Sequence, residues 1–440
     1  MKAVDQIISA RWIMTGEANT SPLENHTLVI HQGKIEAILP EDQVAEKYSA
    51  SSIQKFSTHV IAPGLINTHT HIAMNYFRGL ADDLPLMEWL NEHIWPAEKK
   101  WVSHEFVRDA SLFAMAEMIR GGTTCFNDMY FFLQATAEAA DIAGMRAHIG
   151  MTVMEFPTAW AKNADEYFAR GLEFLEQYRN HPRVTTTLAP HAPYTVSDAT
   201  FMRVKDIAEQ YDLKINCHLH ETTDEVNQSL EQFKMRPIER LHKLGLISPR
   251  LIAIHMTALE NADFDILAKG KPSVVHCPES NMKLASGVCP VTHLQSLGLN
   301  VALGTDGAAS NNDLDMISEM RSAALLAKVS TRDPQALSAQ HAFSLATING
   351  AKALGVDHFT GSLQKGKAAD CIAIKLDEIE TLPLYHPTSQ IVYAASRNQV
   401  TDVWVAGKQL LKNRILTTLD ESELKKSVHR WQEKLIHQYA

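Results

Sequence analysis

Pro63-Gly64-Leu65-Ile66-Asn67-Thr68-His69-Thr70-His71 is the stretch from which the fold of this 440-residue chain can be read. The short apolar run before it, Thr58 to Ala62, meets a Pro-Gly turn signal. Leu65 to His71 then reads as a buried strand finishing in two histidines. Residues two apart on a strand share a side, so His69 and His71 can reach one small object together. Two imidazoles converging at a strand end suit a divalent metal such as zinc, bound at about 2.0–2.1 Å per nitrogen. A lone His-X-His is weak evidence, so the weight falls on the ends of the other apolar runs.

From about Ile61 such runs alternate with helical segments. They are Leu65–His71, Thr123–Asn127, Arg146–Thr152, Val184–Ala189, Leu213–Leu219, Leu251–His255, Ser273–His276 and Asn300–Gly304. Between them, Val107 to Arg120 carries an apolar face and is stopped by Gly121-Gly122. Ala135 to Ala143 ends at Gly144, and Phe201 to Tyr211 precedes the fifth run. Strands alternating with helices predict a parallel sheet, and eight of them a (β/α)8 barrel of the TIM type. The active site of such a barrel lies at the C-terminal ends of its strands.

The two chain ends have a different texture. Gln6 to Ile13, Thr27 to His31 and Lys34 to Leu39 read as short strands, with Gln32-Gly33 as a hairpin turn. After about Gly361 come Cys371–Ile374, Ile391–Ala394 and Val400–Val405, a turn at Gly407 and a terminal helix over Glu421 to Gln438. These ends are expected to pair into one small discontinuous β-sandwich. The division is then residues 1–60 and 365–440 for the sandwich and 61–364 for the barrel.

Composition narrows the partners. A net charge of -10 without any basic stretch argues against nucleic acid and anionic membrane. No window is long and apolar enough for a membrane span, and Met1 to Thr20 shows no export signal. Cys125, Cys217, Cys277, Cys289 and Cys371 are scattered, with no C-x-x-C, which points to reduced thiols in a cytoplasmic protein. Three of them fall in apolar strand-like runs, where buried packing is the expectation.

The polar residues of interest stand where a barrel needs them. Strand four ends Ala189-Pro190-His191, strand five His218-Leu219-His220-Glu221, strand six at His255, and strand eight Gly304-Thr305-Asp306-Gly307. Around one cavity, His69, His71, His218 and Asp306 supply three imidazoles and a carboxylate, with room left for water as in a catalytic metal site. Taken singly each has a structural explanation: an Asp after a strand often caps a helix, and a strand-end His is often a satisfied core residue.

This pattern resembles the amidohydrolase superfamily, in its deaminase and chlorohydrolase branch. The resemblance rests on Pro63–His71, His218–Glu221, His255 and Leu303–Gly307, and on Thr360-Gly361-Ser362-Leu363 with Gly366–Asp370 at the return to the β-sandwich. It covers nearly the whole chain. It implies one divalent metal, zinc with iron(II) as the alternative, held by His69, His71, His218 and Asp306. Binuclear members carry a bridging lysine at the fourth strand, where this chain has Leu188-Ala189-Pro190-His191, so one metal is expected. Within the branch the chain is most similar to 5'-methylthioadenosine/S-adenosylhomocysteine deaminases. Trp95-Pro96-Ala97-Glu98 resembles the segment whose glutamate binds ribose hydroxyls, and His191 resembles a substrate-contacting histidine. Gly307–Asn312, which includes Ser310, matches the loop after the metal aspartate, where Ser310 is expected to contact substrate. The resemblance also implies a homo-oligomer.

Deaminating adenine at C6 needs a nucleophile, a proton on the ring and a proton on the departing amine. Asp306 can hold the metal and also carry the water proton to the amine. His255 is placed to orient the water. Glu221, three residues after His218, can donate to N1 if protonated, although it can also be read as a carboxylate at a helix N-terminus beside Thr222 and Thr223. His220 shares strand parity with His218 but is expected behind the ligands, since the chain is leaving the strand. His276 is expected as a support near the cavity rim. The other zinc deaminase class, with H-x-E and P-C-x-x-C, has no counterpart here.

Relatives that accept S-adenosylhomocysteine place an arginine near the position of Met151, where this chain continues Thr152-Val153-Met154-Glu155-Phe156-Pro157. An apolar lining suits a methylthio group and leaves a carboxylate without its fork, so methylthioadenosine is the expected substrate. The competing readings are a guanine, pterin or triazine deaminase or a chlorohydrolase on the same scaffold, and a metal-free scaffold relative. The Tyr76–Glu98 segment is the expected lid.

Overall fold

The structure is a computed structural model, describing residues 1–17 and 20–436. Eight parallel strands follow one another in chain order: Leu65–Thr70, Thr123–Tyr130, Arg146–Val153, Val184–Pro190, Ile215–Leu219, Leu251–His255, Ser273–His276 and Val301–Leu303. They are rich in buried Val, Ile, Leu and Ala because helices cover them outside and packed side chains fill them inside. Two contacts close the ring between its last and first strands. Asp306 N donates to His69 O at 3.0 Å, and the Asn67 amide brackets Thr305, accepting from its N at 3.0 Å and donating to Oγ1 at 2.7 Å. Gly304 permits the closure, since a Cβ there would lie 2.8 Å from His69 N.

The barrel interior is a plug. Ile66, Cys125, Ile252, Ile254, Val275 and Ala302 cluster with Ala351, Leu354 and Phe359. A polar layer also lies inside, where Asn127 donates to Asn216 Oδ1 at 3.1 Å and Asn216 to Thr187 Oγ1 at 2.8 Å. With its interior filled, the barrel offers the strand ends as its site.

The second sheet is mixed and built from both chain ends. Its spatial order is Ile415–Leu416, Lys408–Lys412, Val400–Val405, Cys371–Lys375, Tyr48–Pro63, Lys2–Ile13, Leu23–His31 and Lys34–Pro40. It curls over a core of Ile8, Leu28, Ile35, Phe56, Cys371 and Trp404. Its Lys34–Pro40 edge folds back onto the segment that leads into Cys371–Lys375, where Ile35 N donates to Lys367 O at 2.8 Å and Ala369 N to Gly33 O at 2.9 Å. Gly33, at φ +73°, is required there: a Cβ would stand 2.7 Å from Ala406 O. Tyr48–Pro63 runs directly into the first barrel strand, and Arg146 pins the two parts through a bidentate pair with Asp370, at 2.7 and 3.1 Å.

One expectation changes, and two elements had no clear signal in the sequence. Ile391–Ala394 is not a strand; it lies in the helix Pro387–Tyr393 and just past it, where Pro387 presets the first turn. Residues 48–57 belong to a long strand whose alternating exposed positions are polar except for Ile53, so no apolar run marks them. The hairpin Lys408–Lys412 with Ile415–Leu416 follows the Gly407 turn and is too short to show a period. The terminal helix is described over Glu421–Ile436, and the rest of the expected Gln438 end lies outside the described residues. All five cysteines are free and buried, and no described helix is long and apolar enough to cross a membrane.

Candidate active site

The ends of strands one, five and eight bring His69, His71, His218 and Asp306 together, with one ligating atom from each lying within 4.8 Å of the others. Asp306 Oδ1 stands 3.3 Å from Nε2 of both His69 and His71. His218 Nε2 is 3.2 Å from Nε2 of each of those histidines. His71 Nδ1–H donates to Met129 O at 2.6 Å and His218 Nδ1–H to His191 O at 2.8 Å. Those bonds occupy Nδ1 of both rings, so Nε2 of His71 and of His218 are the atoms turned toward the centre. Burial lowers the His71 pKa, yet the hydrogen bond and charge of Asp306 outweigh it and push His71 up to about 9. A donor set of this kind favours positive charge at its centre, which is what a divalent cation supplies.

Asp306 sits at φ +62°, and its other oxygen is fixed from behind. Ser280 donates to Oδ2 at 2.7 Å and Ser310 at 3.1 Å. Three hydrogen bonds hold the neighbouring loops. Asp128 Oδ1 accepts from Ile72 N at 2.8 Å, straight after His71, and Glu225 accepts from the backbone N of His220 and Glu221 at 3.0 and 2.7 Å.

One cavity of about 420 Å³ holds these groups. Glu221, His255, Glu98, His191 and Ser310 all line it beside His71, His218 and Asp306. His255 Nδ1–H donates to Asn281 Oδ1 at 2.9 Å, and its Nε2 faces the cavity 3.8 Å from Glu221 Oε2. Burial raises the Glu221 pKa, favouring its acid form. Glu98 accepts from the Tyr130 hydroxyl at 2.7 Å, and burial pushes its pKa up to about 7. His191 shares a hydrogen bond with Thr195 Oγ1 at 3.0 Å and is pushed down to about 3, chiefly by burial, so it stays neutral.

Several residues end up elsewhere. His220, at φ +53°, turns out of the cavity; its Nε2 accepts from Ile238 N at 3.0 Å and its Nδ1–H donates to Ala258 O at 2.9 Å. His276 is buried and absent from the cavity wall, so it is no rim residue. Met151 is likewise buried away from the cavity, packed where Gly171 passes at close range. Thr152, Met154, Phe156 and Pro157 form that wall instead. The segment after the first strand supplies the facing wall through Leu86, Trp89, Leu90, Ile94 and Trp95, carried on short helices. Ser280, Asn281, Tyr130 and Tyr194 escaped the sequence reading. All four stand at or just beyond barrel strand ends, the one signal that would have found them.

Comparison with known proteins follows the same lines. Residues 60–410 match the model of the amidohydrolase family. A protein of Teredinibacter turnerae named 5-methylthioadenosine/S-adenosylhomocysteine deaminase is 45% identical over 98% of this chain and 98% of its own length. One of the same name from Saccharophagus degradans is 45% identical over 99% of this chain and 98% of its own. Among solved structures, an adenosine deaminase from Xanthomonas campestris with bound zinc superposes with a TM-score of 0.98, at 46% identity over 99% of both chains. An atrazine chlorohydrolase from Arthrobacter aurescens, complexed with zinc, shares the fold with a TM-score of 0.90 at 22% identity, covering 97% of this chain and 100% of its own.

Proposed function

The chain belongs to the amidohydrolase family, and we propose that it hydrolytically deaminates the adenine ring of 5'-methylthioadenosine, giving 5'-methylthioinosine and ammonia. S-adenosylhomocysteine and adenosine are lesser substrates. One observation carries the nucleoside reading: the half-buried Glu98 carboxylate lines the same cavity as the histidine–aspartate cluster, and much of the remaining wall is apolar. A free purine, pterin or triazine has no ribose for Glu98 to bind.

His69, His71, His218 and Asp306 would hold one divalent cation, zinc in this reading with iron(II) the alternative. When bound, the cation supplies a Lewis acid that lowers the pKa of a water to about 7. The chain's own residues do the rest. His255 accepts a hydrogen bond from the attacking water through Nε2 and aims it at C6. Asp306 takes the first water proton. Glu221 gives its proton to N1 as oxygen bonds to C6, so negative charge does not accumulate on the ring. Asp306 hands its proton to the amino group, the C6–N bond breaks, and ammonia leaves. The second water proton returns Glu221 to its acid form. Glu98 accepts from the ribose hydroxyls, while His191 and Ser310 hold the base in place.

The tail of S-adenosylhomocysteine would find poor company. Apart from histidines, Lys99 is the only cationic side chain along the cavity among the described residues, and it is exposed. Burying the tail carboxylate without a fork would cost about several kcal/mol. The same reading keeps residues 1–60, 61–364 and 365–440 as the working division, and makes the enzyme a cytoplasmic homo-oligomer without nucleic acid. The five buried free thiols and the net charge of -10 support the compartment and that exclusion.

Steady-state assays of ammonia release test the substrate. The expected kcat/KM for methylthioadenosine exceeds that for S-adenosylhomocysteine by at least about tenfold, equivalent to about 1.4 kcal/mol. A preference for the homocysteine adduct would remove the substrate assignment. Turnover of guanine without turnover of any nucleoside would remove the nucleoside reading itself.

A further inference from the structure

A second cavity, of about 350 Å³, shares no lining residue with the catalytic one. That volume falls within the range of small-molecule sites. Arg78, Arg120, Arg397, Arg414 and Lys425 line it, against two carboxylates, Glu117 and Glu421. Five cations around one cavity run against a chain whose net charge is -10.

Ion pairs within the protein account for part of this cluster. Glu117 takes Arg78 and, at 2.9 Å, Arg397, while Glu421 takes Arg120 at 2.7 Å. Arg397 also lies 3.6 Å from Asp313 and 3.8 Å from Asp315. Arg414 and Lys425 are left over: among the described residues neither has a carboxylate within ion-pair distance. Arg414 is half-buried, and its Nη1 donates to the backbone oxygens of Arg120, Arg397 and Val400 at 2.6, 2.8 and 2.8 Å. Carbonyl dipoles orient that guanidinium without neutralising it. Burial, with Arg120 next to it, pulls its pKa down to about 10, only partly offset by the charge of Glu421. Phe113, Leu416 and Leu424 give the same cavity an apolar side.

We infer that this cavity binds a small phosphate-bearing anion through Arg120, Arg414 and Lys425. A phosphate carries about two charges and three acceptor oxygens, which suits guanidinium forks approaching from different chain segments. The apolar side would accept the organic part of such a ligand, where it has one.

The test is calorimetric titration of the full-length, metal-loaded protein at constant ionic strength with inorganic phosphate, pyrophosphate and ribose 5-phosphate. We expect saturable one-site binding with Kd below about 1 mM for at least one of them. It should weaken at least fivefold in Lys425→Glu and in Arg414→Gln. Lys425 is exposed and has no ion pair to lose, so Lys425→Glu should keep the Tm of the unliganded protein and carry the test if Arg414→Gln fails to fold. Equal affinity for phosphate and ribose 5-phosphate would identify the free ion as sufficient; tighter ribose 5-phosphate would identify an organic phosphate. Both support the site. No saturable binding of any of the three, or binding that Lys425→Glu leaves unchanged, overturns it.

Discussion

The Ser280 hydroxyl donates to Asp306 Oδ2 at 2.7 Å, leaving Oδ1 of the same carboxylate 3.3 Å from Nε2 of both His69 and His71. One oxygen is thus tied to the helix after strand seven, and the other faces the histidines. The carboxylate's rotation is set in part by a residue that does not itself line the cavity, with Ser310 and the Gly307 N–H holding it from the other sides.

Ser280→Ala should therefore slow the reaction without emptying the site. Losing one hydrogen bond to a charged group costs about 1.5–3 kcal/mol, so kcat should fall about 10- to 100-fold while bound metal stays near one per chain. Asp306→Asn should stay folded and lose about three orders of magnitude or more. Near-normal turnover in Asp306→Asn would take Asp306 out of the chemistry.

Metal removal should abolish activity and lower Tm. A cation at a thousandfold its Kd stabilises the folded state by about 4 kcal/mol. Dialysis against a chelator, followed by calorimetry and then zinc addition, checks both effects. Unchanged turnover in metal-free protein would contradict the hydrolytic scheme.

Glu98 should govern the pH dependence of substrate affinity. Burial pushes its pKa up to about 7, and only the ionised carboxylate accepts from both ribose hydroxyls. As pH falls through about 7 the ionised fraction drops, so KM for methylthioadenosine should rise on the acid side. In Glu98→Gln, KM should be raised about tenfold or more and be flat over the same range. A wild-type KM that is equally flat would remove Glu98 from the ribose site.

His148 should make the fold sensitive to mild acid. Burial, helped by Arg146, pushes its pKa down to about 4, below the ordinary value of 6.5. As pH falls, the unfolded chain takes up this proton first. The stabilisation is therefore complete above about 6.5 and is lost toward 4, an effect of about 3 kcal/mol. Tm measured between pH 7 and 4.5 should fall less steeply in His148→Gln than in the parent. Parallel curves would show that His148 does not set this slope.

The join between barrel and sheet should depend on Arg146 and Asp370. Both are buried, and Asp370 also accepts from Thr360 Oγ1 at 2.6 Å and Ala406 N at 2.7 Å. Asp370→Asn leaves a buried guanidinium without its counter-charge and should cost about 3–5 kcal/mol. Denaturant unfolding measures it; a loss under about 1 kcal/mol would show that the pair contributes little.

Most of the barrel was legible because its signal is local. A strand buried on both faces must be apolar along its length, and eight such runs separated by helices leave few other folds. The cluster of His69, His71, His218 and Asp306 was legible because its members stand at those run ends. The β domain was harder. Residues 48–57 alternate with polar positions, Ile53 excepted, facing solvent, and Ile391-Val392 looks like a strand until Pro387 is seen to start a helix.

The amino-acid order by itself determined which runs become strands and which polar residues stand at their ends. Only the tertiary structure decided where those residues point. His218 and His220 share parity, yet φ +53° swings His220 toward Ala258 and Ile238, leaving His218 alone in the cavity. Ser280 and Asn281 became partners of Asp306 and His255 because strand seven lies between strands six and eight in the ring. Side-chain direction where a strand ends depends on a single backbone dihedral and on what packs against it, and neither is written in residue type or spacing.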